Sequence, residues 1–368
     1  MKKILLVTLQ GGSNYGNRLQ NYALQSVVER MGWEVHNPCY YFEREIFFKE
    51  KIKEMIRVVL GFLRYSRFRL PYCRVRREKV FRRFDKKYIH NRFKLSFEKA
   101  FSMAWEEYVA AISGSDQVWH KWHVLPKELE YFYLMFLPEE KRFVYAPSFG
   151  FEEFDQKTIQ IHKSGLSGIR KLSCRENTGK TLIRELTGRE AEVLCDPTLL
   201  MEADEWRGIS RKPKYHVPQH FVLEYLITDV DKDIQKKVAE FVARKELPVI
   251  NVFDYTDLTH FCTSPEEFLW LLDHADYVLT NSFHGCVFSI LFNTKFVVCG
   301  RGGDERDTMF DRIRTLLRNF GMEQRIYNGS LDVADEEIDS GTIEDRLKEQ
   351  RKTAHSYLNE CDELWKKR

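Results

Sequence analysis

GGSNYGNRLQNYALQ, Gly11 to Gln25, follows directly on the apolar run Ile4–Leu9. The run is continuous rather than alternating, which is how a strand covered on both faces of a parallel sheet reads. A turn with three glycines follows, then a helical pattern over Asn17–Met31 closed by Gly32, then a short strand over Trp33–His36. Strand, glycine turn, helix and strand together make a βα unit, and that unit sets the expectation for the rest of the chain.

The rhythm continues. Strands are expected at 108–113, 142–146, 171–174 and 191–195, with a helix at about 177–187 before Gly188. DPTLL (196–200) and the polar stretch through Gln219 read as a crossing between domains. Strands at 221–227, 247–253, 276–281 and 295–300 then alternate with helices at 231–246, 264–274, 285–292 and 307–319. SPEEF (264–268) carries a serine cap, proline at the first helical position and glutamate at the third. The expected fold is α/β: two doubly wound, Rossmann-like domains facing across a cleft. The N-terminal domain spans 1–200, with a basic helical insertion at about 41–100. The C-terminal domain spans 201–335, and a helix within 336–368 packs back on the first domain. A chain of 368 residues is long enough for two cores.

The eight cysteines form no C-x-x-C pair, and several sit in apolar runs, as free thiols of a reducing compartment do. The apolar start is too short for a signal peptide, and no run approaches a membrane span. A cytoplasmic protein is expected. Net charge is +3, yet Lys49–Lys94 holds 17 Lys/Arg against four acids. Within this block, FFKEKIKEMIRVVLGFLRYSRF (47–68) places Phe48, Ile52, Met55, Ile56, Val59, Leu60 and Leu63 on one helical face. Residues 47–94 are therefore a candidate surface for an anionic membrane, giving peripheral attachment. No recognition motif for nucleic acid accompanies the charge.

In doubly wound sheets ligands lie outside the carboxyl ends of the strands. Four loops qualify. In the opening stretch, Asn14, Tyr15, Asn17 and Arg18 are candidate acceptor contacts; a cation in the first turn of a helix is unfavourable unless an anion meets it. In SGSDQVWH (113–120), Asp116 and Gln117 suit hydroxyls and Trp119 suits a sugar face. His120 and His123 with Asp116 are too loosely spaced for a metal set, so no metal is expected. In SCREN (173–177), Arg175 closes a strand and opens a helix; Glu176 is a possible local ion partner. In VLTNSFHGCVFSILF (278–292), His284 stands where a strand ends and a helix begins, a place suited to acid/base work.

Together NYGNRLQNYALQ, SGSDQVW, SCRENTG, DPTLL, SPEEFLWLLDHADYVLTNSFHG and FDRIRTLLRNFGMEQRI resemble the polysaccharide pyruvyl transferase family. The resemblance implies a fold similar to the two-domain GT-B type. It implies transfer of the enolpyruvyl skeleton of phosphoenolpyruvate to a sugar as a cyclic ketal, with loss of phosphate and no cofactor beyond that co-substrate. The acceptor would belong to a cell-surface polysaccharide or a lipid-linked oligosaccharide. Arg175, Ser282 and Gly285 map to the donor side, and His284 with Asp116 to catalysis. The arginine that often stands two residues before the family's histidine is Ser282 here, and Arg301, Arg306 and Arg312 are candidates to replace it. The alternatives are a GT-B glycosyltransferase taking a nucleotide-sugar and a carbohydrate-binding relative without catalysis.

Overall fold

The structure, a computed structural model, describes residues 2–41, 69–121, 123, 125–228, 230–300 and 310–367. Two parallel sheets carry the fold. The first holds β1 (Lys3–Val7), β2 (Glu34–Tyr41), β3 (Arg92–Ser96), β4 (Tyr108–Asp116) and β5 (Arg142–Pro147) in the order β3-β2-β1-β4-β5. A short parallel pair, β6 (Ser173–Cys174) and β7 (Glu192–Val193), continues beside β5. The second sheet holds β8 (Val222–Tyr225), β9 (Val249–Asn251), β10 (Tyr277–Thr280) and β11 (Phe296–Val298) in the order β11-β10-β8-β9. All pairings within both sheets are parallel. The α/β class with two doubly wound sheets is thus as read from the sequence, although β3 was not anticipated.

Strand order reverses between β1 and β4 in the first sheet and between β8 and β10 in the second. Those switch points open the crevices in which such folds bind ligands. The helix α1 (Tyr15–Arg30) starts above the first crevice; its cap Asn14 accepts from the Asn17 amide. Further on come α2 (Arg69–Tyr88), α3 (Asn177–Thr187), ended by the left-handed Gly188, and α4 (Pro265–His274). The capping box expected at Ser264 and Glu267 is present in both directions. The helix α5 (Phe283–Phe292) starts above the second crevice, followed by α6 (Asp311–Phe320) and α7 (Ser340–Lys366).

A single apolar cluster runs through both halves, from Ile4 and Leu6 of β1 to Val278 and Phe288 beneath the second sheet. Tyr15 stacks on Phe268 at 4.0 Å and donates to the Thr263 carbonyl. Arg77 of α2 is buried and donates from Nη1 to the carbonyls of Val252 and Phe261 at 2.6 and 2.5 Å. The rings of Tyr15, Phe81, Phe253 and Phe261 surround its guanidinium at 4.8–5.3 Å. The helix α7 lies against the first sheet: Trp33 donates to Asp362 at 2.7 Å, and the Tyr357 hydroxyl to the Val144 carbonyl at 2.7 Å.

Residues 42–68, and with them the apolar face expected at 47–68, lie outside the described residues. In the described remainder of the basic block, Phe81, Phe84 and Arg77 face inward while Arg74, Arg82, Arg83, Lys86 and Lys87 face solvent. Among the described residues no helix is long and apolar enough to cross a membrane.

Candidate functional site

The loops at both switch points meet around one buried carboxylate, Asp196. Asp196 caps the turn Pro197–Leu200: its Oδ1 accepts from the Thr198 amide at 3.1 Å and the Thr198 hydroxyl at 2.7 Å. Its Oδ2 accepts from Arg175 Nη1 at 2.6 Å and from the Ser115 hydroxyl at 3.1 Å, and faces His284 Nε2 at 3.7 Å. Burial alone would raise this carboxyl. His284, Arg175 and the Thr198 hydroxyl outweigh burial and hold it well below the usual carboxylate range.

Arg175 is buried between two acids, its Nη2 lying 3.3 Å from Asp116 Oδ1. Its Nε has no partner among the described residues. The Phe283 ring lies 4.3 Å from the Arg175 guanidinium and 5.8 Å from that of Arg312. Arg312, on the first turn of α6, approaches Asp116 at 4.0 Å. Glu176 makes no hydrogen bond to Arg175 among the described residues and accepts from the Ser148 hydroxyl and the Phe149 and Gly150 amides. The anticipated Arg175–Glu176 pair is therefore replaced by Asp196 and Asp116. Arg175 and Arg312 thus stand among carboxylates of the chain itself, the ion-pair alternative weighed for Arg175 from the sequence. The charge of Arg175 is already answered from within the chain, and only its Nε remains to be used.

His284 follows the cap Ser282, which accepts from the Gly285 amide at 3.4 Å. This explains Ser282 and Gly285 without a donor. Ser282 caps the start of the helix, and a Cβ on Gly285 would lie 2.3 Å from the Thr280 hydroxyl. The imidazole reaches across to α1: a Cβ on Gly16 would stand 2.0 Å from His284 Nδ1. One ring nitrogen thus faces Asp196 and the other edge of the ring lies on the first turn of α1. Beside the cluster is a small pocket lined by Arg175, Asp196, Phe283, Arg312, Asn319 and Gln350, with His284 outside its lining.

Other expectations change. Trp119 is fully buried, stacked on Tyr133 at 4.9 Å, so its face is not offered to a sugar. Tyr15 is likewise core. The anion expected for Arg18 is Asp85, at 3.2 Å, with Gly11 accepting at 3.0 Å; Arg18 points away from the His284 cluster. Asn14 spends its side chain on the cap. Gln117 is buried beside Gly150 and His120, its Nε2 without a partner among the described residues. Burial, with Arg312 nearby, pushes His120 down to about 3. His123 bonds the Val118 carbonyl, and no group of three potential metal ligands occurs among the described residues. Arg301 and Arg306 lie outside the described residues. Asp196 itself was missed: DPTLL read as a crossing, although an acid before Pro-Thr at a strand end carries the signature of a cap.

A family model described as "Polysaccharide pyruvyl transferase" matches residues 14–303. No curated protein matches the sequence. Among solved structures the chain is similar to MurG of Acinetobacter baumannii, with 10% identity, TM-score 0.47 and full coverage of both chains. It is similar to UDP-GlcNAc 2-epimerase of Methanocaldococcus jannaschii, with 11% identity and TM-score 0.47 over 95% of this chain and 92% of that one. It is also similar to HepE of Anabaena, solved with UDP and glucose, with 10% identity and TM-score 0.44 over 98% and 100%.

Proposed function

The chain belongs to the polysaccharide pyruvyl transferase family, and on that premise we propose that it joins phosphoenolpyruvate to two hydroxyls of one sugar as a cyclic ketal, releasing phosphate. The observation that supports this most is the place of His284, set between the Asp196 carboxylate and the first turn of α1 where both crevices open. His284 is the group placed to pass a proton to or from a substrate at this point. Asp196 is a positioning residue for both His284 and Arg175.

The reaction balances without further reagents. A proton adds to the vinyl carbon of phosphoenolpyruvate, and the first sugar oxygen bonds to C2. The second sugar oxygen then bonds to C2 as the C2–O bond to phosphate breaks. Of the two hydroxyl protons, one ends on the new methyl group and the other on phosphate. Arg312 and Arg175 Nε meet the donor's anionic oxygens. The acceptor belongs to a cell-surface polysaccharide or a lipid-linked oligosaccharide, and the exposed cations of α2 hold the enzyme near the inner membrane face.

The test is phosphate release from phosphoenolpyruvate with a panel of free, nucleotide-linked and lipid-linked sugars. Acceptor-dependent release is expected. Thermal stabilisation by a nucleoside diphosphate, with none by phosphoenolpyruvate and no phosphate release, would instead assign the nucleotide-sugar reading.

A further inference from the structure

The turn that carries Asp196 is held from a distant part of the chain. Asp196 caps its start. Its far end is gripped by Arg351 of α7, which donates from Nε to the Leu199 carbonyl at 2.7 Å and from Nη2 to the Met201 carbonyl at 2.9 Å. Both carbonyls belong to buried residues. Carbonyls at the end of a helical turn lack partners within it, and a cationic side chain can supply the missing donors. The planar fork of a guanidinium can span two carbonyls at once, which a lysine ammonium does poorly. The Arg351 side chain is only 12% exposed, and its remaining nitrogen pairs with Glu202. One residue earlier, the Gln350 carbonyl meets Cys195 Sγ at 3.9 Å, and Gln350 lines the pocket beside Arg175 and Asp196. The helix α7 is itself fixed on the first sheet through Tyr357 and Asp362. Arg351 lies beyond the residues 14–303 that the family model matches.

We propose that Arg351 is a positioning residue for the site: by gripping the end of this turn it sets where the Asp196 carboxylate stands, and through Asp196 it places His284 and Arg175. The link is short. The Leu199 amide donates to the Asp196 carbonyl at 2.9 Å, with the stiff Pro197 between them, so a shift at Leu199 reaches Asp196 directly. Asp196 Oδ2 lies 2.6 Å from Arg175 and 3.7 Å from His284, and a small displacement would change both distances. The C-terminal helix is thereby part of the working site as well as a cover for the first sheet. In tying Arg351 to turnover, the inference rests on the reaction proposed above.

Two measurements on the full chain test it, one of them independent of turnover. Arg351→Ala should lower kcat for acceptor-dependent phosphate release by about tenfold or more, as a misplaced catalytic group does, with the KM for the sugar little changed. The imidazole C–H resonance of His284, assigned by its loss in His284→Asn, should be displaced in folded Arg351→Ala. A merely structural role would lower the amount of folded protein without moving that resonance. Arg351→Lys keeps the charge but not the fork, so its resonance should lie between those of the parent and Arg351→Ala; it also serves alone, with a resonance distinct from the parent's, if Arg351→Ala does not melt cooperatively. Glu360→Gln loosens α7 elsewhere, at its contact with Lys171, and should leave rate and resonance unchanged. A His284 resonance at the parent position in the folded Arg351 variants, one displaced equally by Glu360→Gln, or a kcat equal to the parent's overturns the proposal. If the parent releases no phosphate but the resonance moves as expected, the positioning stands and the reaction falls; phosphate release with rate and resonance indifferent to Arg351 does the reverse.

Discussion

Gly16→Ala should place a methyl carbon 2.0 Å from His284 Nδ1, well inside van der Waals contact. Gly16 does not adopt a left-handed backbone, so alanine meets no conformational penalty of its own. In a helix the same change ordinarily stabilises, by up to roughly 1 kcal/mol. The sign of the effect is therefore diagnostic. With the imidazole where the structure has it, either the ring or α1 must move, and overpacking of this kind costs about 1–3 kcal/mol. That lowers the melting temperature by roughly 2–12 °C. If His284 acts on the substrate, displacing it by about 1 Å should also cost about 100-fold in turnover. Scanning calorimetry and phosphate release measure the two. The double variant with His284→Ala separates the causes: removing the ring removes the clash, so the two stability losses should fail to add. A Gly16→Ala protein as stable as the parent and equally active would refute the contact and the placing of the ring.

His284→Asn should reduce turnover by roughly 100-fold or more with little change in melting temperature, as acceptor-dependent phosphate release would show. Asp196→Asn should be costly to the fold, by about 3–5 kcal/mol in denaturant titration, because it leaves Arg175 buried with a lost partner. Asp196 is depressed in the folded state, so its contribution is complete above the ordinary carboxylate range and is lost only as strong acid reaches it; the variant should show a flatter acid limb. His120 and His162, both pushed down to about 3 chiefly by burial, act at milder pH. The unfolded chain takes up their protons first, so stability should be full above about pH 6.5 and fall as pH drops toward 3. His162→Phe should remove part of that slope in pH-dependent melting curves.

The parallel sheets were legible because their strands are continuous apolar runs punctuated by caps, as at Ser264 and Gly188. β3 was not, since RFKLS (92–96) carries two cations and follows a basic helix. His284 could be singled out from its position alone, but its surroundings could not. Arg18 finds Asp85 67 residues away, and the Asp116 that approaches Arg175 comes from 59 residues earlier. Trp119 read as a sugar platform because an exposed and a buried indole look alike in a sequence; Tyr133, which covers it, is brought there by the fold. Asp196 was hidden for a related reason. A carboxylate that caps a turn and one that anchors a site share the same local spelling.

Arg77 also bears on how the enzyme can breathe. Parting the two halves along the α2 side would pull a guanidinium out of four aromatic rings and strip two carbonyls of their donor. Neither loss is repaid until water fills the gap. A motion that spared Arg77 would have to keep that edge fixed and turn the halves about it.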